Sequence, residues 1–128
     1  MTERTTKWQP VSDIDSPFGS ISYAFQHDAL LVCMIGVRTL VLHFSGVVAL
    51  RFEQECPGVE PLPHPLPMLG PLATFPLLTI EESQWLAKFS AIYEHRSHFA
   101  LISYDHLVQL LAVPNVKAHW EEPAAGAI

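Results

Sequence analysis

The stretch "ALLVCMIGVRTLVLHFSGVVAL", residues 29 to 50, carries one fixed charge and leaves this chain few ways to fold. A run of that length and greasiness either crosses a bilayer as a helix or supplies strands to a shared interior. Arg38 weighs against the helix, because it would sit near the hydrocarbon centre at a cost of about 2.5–3.5 kcal/mol on insertion scales. Thr39, His43, Ser45 and the glycines at 36 and 46 weaken a span further. Strands are therefore expected: "ALLVCMI" as one strand ended by Gly36, and two more β-like runs meeting at Ser45-Gly46. Either that dipeptide is a two-residue turn that sets Phe44 opposite Val47, or Gly46 is a bulge in one long bent strand.

Upstream, "ISYAFQHD" alternates Ile21, Tyr23 and Phe25 with small or polar residues, the period of a half-buried strand, and His27-Asp28 suits the turn after it. Residues 1–19 contain prolines at 10 and 17 and a glycine at 19, so they read as an irregular N-terminal arm that Trp8 pins to the body. Asp13 and Asp15 lack the further ligands of a calcium loop and suit local turns. A single α+β domain is expected over 20–120, with a C-terminal tail at 121–128.

Residues 56–76 hold seven of the eleven prolines. Proline removes a ladder donor and pushes its predecessor out of the helical region, which predicts an extended loop laid on the surface. The following "LTIEESQWLAKFSAIYEH" predicts the one helix. Thr79 and Glu82 have capping-box spacing, and Trp85, Leu86, Phe89 and Ile92 share a face. From His98, "HFALISY" and "LVQLLA" form a predicted hairpin turning at Asp105-His106, with Tyr104 opposite Leu107 and Ile102 opposite Gln109. The fold class expected is thus α+β: an antiparallel sheet of about five or six strands, strongly curved or folded into two layers, with one helix packed on a face.

Thirteen acids against seven Lys and Arg give a net charge of −6, with no basic stripe to neutralise phosphates, so nucleic acid is not an expected partner. The seven histidines add positive charge as pH falls, and solubility should be lowest near the sequence pI of 5.5. Hydrophobic residues reach 49% and charged ones only 16%, against roughly 25% charged in ordinary soluble domains. That surplus favours a partner surface, and a homodimer is its simplest use.

Met1 to Asp15 contains no apolar signal core, and Cys33 and Cys56 form neither a CxxC pair nor a disulfide framework. A reduced cytoplasmic chain, with no membrane association, is expected. Cys33 sits in an apolar run and Cys56 has acids rather than cations nearby, so neither looks activated.

The stretch "EHRSHFALISYDHLVQLLA", residues 94 to 112, gathers histidines beside apolar strands. His95 and His98 are the candidate metal ligands, because an i, i+3 pair meets on a helix face. A catalytic zinc ordinarily adds a third protein ligand, and HExxH is absent. His106 falls at the hairpin tip, more than about 20 Å from His98 along the strand. No native metal and no cofactor are expected. No GxSxG elbow, GxxxxGK[ST] or GxGxxG phosphate cradle occurs. An enzyme would need an unfamiliar constellation, for which His43, Arg38, Glu53 and Glu55 are the candidates.

The succession "LVLHFSGVVALRFEQE", "IEESQWLAKF" and "HFALISYDHLVQLLA" resembles the layout of small bacterial proteins, some of which are immunity proteins that neutralise a toxin. The resemblance carries no catalytic residue, and the proline-rich loop departs from it. It implies a non-enzymatic protein-binding domain that blocks a toxin partner. The rivals are a small-molecule or metal-dependent enzyme built on the histidines, and a structural homodimer.

Overall fold

The computed structural model describes residues 3–14, 18–27, 29–54, 75–104 and 106–121. Nine strands run through them: β1 (Arg4–Lys7), β2 (Ser20–Gln26), β3 (Ala29–Ile35), β4 (Thr39–Ser45), β5 (Ala49–Gln54), β6 (Leu77–Glu81), β7 (Ser97–Ile102), β8 (His106–Ala112) and β9 (Lys117–Glu121). A single turn of helix, α1 (Gln84–Ala87), follows β6. All pairings are antiparallel, in a five-stranded sheet ordered β1-β6-β7-β8-β5 and a four-stranded sheet ordered β2-β3-β4-β9.

Period-two sequence explains how the sheets face each other. Leu30, Val32 and Met34 of β3 stand opposite Phe44, Leu42 and Leu40 of β4, and all six are fully buried. On the larger sheet, Leu77, Phe99, Leu101, Val108 and Leu110 meet them in one interior cluster. Phe44 and Phe99 bridge the sheets with ring centroids 5.2 Å apart, and Trp8 closes over both at 5.9 and 4.7 Å. Removing a buried ring of this kind typically costs about 3–5 kcal/mol.

Part of the larger sheet's other face is apolar as well. Leu78, Ile80, Ala100 and Leu107 form a second buried cluster there, with Ile102 packed against it. Burial on both faces is why "HFALI" and "LVQLLA" carry no polar stripe.

The expected α+β class is overturned, because the two sheets dominate and the longest helix among the described residues has four residues. The predicted helix starts as β6 instead: Thr79 lies in that strand, and the cap is Ser83, whose hydroxyl accepts the Leu86 N–H. Magnitudes account for the outcome. Helix propensities differ by at most about 0.7 kcal/mol per ordinary residue, whereas burying a leucine or isoleucine side chain contributes about 1.5–3 kcal/mol. Leu77, Leu78 and Ile80 gain that burial between β1 and β7. Glu82 then takes φ 59°, which breaks the strand before α1. Beyond α1 the chain continues in tight turns, and Ile92 of the expected apolar face is 76% exposed.

Two turns differ from expectation in instructive ways. Ser45-Gly46 joins no hairpin, since β4 pairs with β3 and β9 while β5 pairs with β8. The chain bends at Gly46, φ 58°, and passes from one sheet to the other. Arg96 clamps that corner by donating from Nε to the Gly46 carbonyl at 2.7 Å. The β7–β8 hairpin forms, but with Ile102 opposite Leu107 and Ala100 opposite Gln109, a shift of the expected register that keeps every side chain on its predicted face. The Ser103 hydroxyl accepts the His106 N–H at 3.1 Å inside the longer loop.

The N-terminal arm is not irregular throughout: β1 pairs with β6, and Trp8 anchors it as expected. The β2–β3 turn holds His27 at φ 56°, as the sequence predicted. Asp105, Cys56, His64, Glu55, Asp15, residues 56–74 of the proline-rich loop and 122–128 of the tail lie outside the described residues.

Candidate functional site

One polar chain crosses the outer face of the larger sheet. Ser83 hydroxyl and His98 Nδ1 are 2.7 Å apart, and His98 Nε2 lies 2.8 Å from Gln109 Oε1. All three residues are buried. Gln109 Oε1 can only accept, so a neutral His98 carries its proton on Nε2 and its Nδ1 accepts the Ser83 hydroxyl proton, while the Ser83 oxygen accepts the Leu86 N–H. Burial lowers the His98 pKa from its ordinary value of 6.5, opposed by the hydrogen bond to Gln109 and by the Glu3 charge, and reinforced by Arg51. The imidazole is therefore held neutral, in the tautomer this chain requires.

Beside it lies a cavity of about 170 Å³ lined by Glu3, Arg51, Trp85, Lys88, His98 and Gln109. Cross-strand register puts Arg51 directly opposite Gln109 on this face. The Arg51 guanidinium lies 4.7 Å from the Trp85 ring centroid, and Trp85 meets His98 edge-on at 5.2 Å. Glu3 accepts the Gln84 N–H at 2.8 Å.

The structure separates the candidate metal ligands. His95 occupies an exposed turn at φ 57°, while His98 is buried on β7 with both ring nitrogens engaged. The helix face that would have joined them does not form, because strand pairing claims residues 97–102. Among the described residues no three His, Cys, Asp or Glu side chains converge as a metal site. His43 stacks on His119 at 5.6 Å across β4 and β9, Arg38 lies 3.9 Å over Trp120, and Glu53 falls on β5. These enzyme candidates are thus spread over different faces and edges. Cys33 is a half-buried free thiol.

A second feature lies where the edge strands β2 and β5 border the interior. Tyr23 and Phe25 stand opposite the core residues Val32 and Leu30, hence on the inward face, yet they are 41% and 60% exposed. Tyr23 reaches Phe52 of β5 at 5.2 Å, and Phe52 in turn meets the His106 ring at 4.7 Å. Tyr23, Phe25 and Phe52 thus emerge into solvent along this margin.

No known family model, curated protein or solved structure matches this chain. Among the described residues no helix is long and apolar enough to cross a membrane.

Sequence reading passed over Ser83, Arg51 and Gln109 as a group. One signal was available: Gln109 is the sole polar residue inside "LVQLLA", and a polar side chain in a run buried on both faces must find partners.

Proposed function

We propose that this chain is a non-enzymatic protein-binding domain, immunity-like in blocking a toxin partner, and that the partner docks on the β2–β5 margin. The observation that supports this is the exposed aromatic patch of Tyr23, Phe25 and Phe52. Aromatic side chains supply large contact area at low entropic cost and are enriched at interface centres. A cytoplasmic location, with Cys33 reduced, belongs to this reading. The chain's net charge of −6 suits a basic partner.

Pull-down against the products of neighbouring genes, paired with a cell-survival assay, tests it. Wild type should retain a toxic neighbour and protect cells, whereas a Phe25→Ser/Phe52→Ser variant with unchanged circular dichroism should release it. No binding and no protection by the wild-type protein would remove the reading.

A homodimer is the second reading, because β2 is an edge strand. Two copies could pair these edges about a two-fold axis. Light scattering after size exclusion separates it from the first: a monomer throughout the micromolar range contradicts the dimer.

A further inference from the structure

We propose that the cavity on the outer face of the larger sheet binds a small monocarboxylate. The decisive group is Gln109, which is 3% exposed and lines the cavity. The Ser83–His98 chain occupies its carbonyl oxygen, and its amide nitrogen makes no hydrogen bond to a described residue. That nitrogen is not among the polar atoms sealed away without a partner, so its donors open onto the cavity that Gln109 lines and are available to an acceptor there. With Oε1 turned to His98 Nε2, the amide donors rather than the acceptor are left for a ligand.

The surroundings select the ligand's charge. Among the described residues neither Arg51 nor Lys88 forms an ion pair, whereas the Glu3 carboxylate is engaged by the Gln84 N–H. Two cations, one committed carboxylate and an amide donor leave an excess of one positive charge for a single carboxylate. A planar guanidinium beside a primary amide can meet both carboxylate oxygens.

Size and shape narrow the body. The cavity volume of about 170 Å³ is close to the roughly 150 Å³ cavity that accommodates a benzene ring. Trp85, held edge-on to His98, offers a flat apolar wall for such a body. A compact planar carboxylate therefore fits, and benzoate is a suitable probe. This site lies on the face opposite the interior and does not use the aromatic margin, so the two proposals stand or fall separately.

Titration of ¹⁵N-labelled full-length protein with benzoate, and with neutral benzamide at matched ionic strength, provides the test. Benzoate should shift the Trp85 indole and Gln109 side-chain resonances saturably, with benzamide at least about tenfold weaker. Arg51→Met and Gln109→Glu should each weaken benzoate by about tenfold or more. The latter keeps an acceptor for His98 while replacing the donors with a like charge. Lys88→Met, at an exposed position, should weaken it without risk to the fold, and Phe25→Ser/Phe52→Ser should leave it unchanged. Absence of saturable shifts in wild type, equal binding of benzamide, or undiminished binding in the folded variants would overturn the proposal.

Discussion

His98 shows how one side chain links burial to solution conditions. Its pKa is lowered in the folded protein, so below the ordinary value of 6.5 the unfolded chain takes up the proton more readily. Its neutral-state stabilisation is fully present above about 6.5 and is lost as pH falls from there towards the lower folded value. Urea unfolding at pH 7.5 and 5.5 should show wild type losing more stability on acidification than His98→Gln. The other six histidines are common to both proteins, so the difference between the two losses isolates His98. Equal losses would mean that the buried ring takes up its proton as easily as an exposed one. Gly46 makes the complementary point about backbone. At φ 58° an added Cβ would lie 2.8 Å from Val113 Cγ2 and 3.0 Å from an Arg96 guanidinium nitrogen, so the corner between sheets depends on a missing side chain.

Among the elements, β1 carries more weight than its four residues suggest. It covers the edge of β6, pairs Arg4 with Glu81 at 2.7 Å, and delivers Trp8 onto Phe44 and Phe99. The ion pair is exposed and contributes about 0–1 kcal/mol, so the indole dominates. Trp8→Ala should destabilise the protein by about 2–4 kcal/mol in urea titration, with Arg4→Ala costing under about 1 kcal/mol. The strands of the central greasy run were legible because period two and Gly36 both point the same way. Ile21–Gln26, Ala29–Ile35 and the face assignment of the β7–β8 hairpin follow from that pattern. The replacement of the expected helix over 78–95 by a strand and one helical turn was not legible, since glutamates and a capping spacing describe local preference only. Which two strands would flank Leu77–Ile80 is decided by residues far away, including Arg4–Lys7. The candidate cavity was hidden for the same reason: Arg51, His98 and Gln109 meet only through cross-strand register.

For the whole molecule, three of the seven strand pairings among the described residues are distant in sequence. β1 pairs with β6, β5 with β8 and β4 with β9, and the chain changes sheets between β1 and β2, between β4 and β5, and between β8 and β9. Non-local pairing of this kind predicts refolding in milliseconds to seconds rather than microseconds. Stopped-flow tryptophan fluorescence checks it, and a microsecond phase that recovers the full native signal would contradict it. The interleaving also bears on synthesis. A ribosome makes Arg4–Lys7 well before Leu77–Glu81, and Thr39–Ser45 well before Lys117–Glu121. The nascent β2–β3–β4 meander can form early, but its greasy face has no opposite layer to cover it until the later strands emerge. A cell making this protein must shelter that half-built slab, and slowing translation across residues 55–112 should lengthen its exposure to chaperones and proteases.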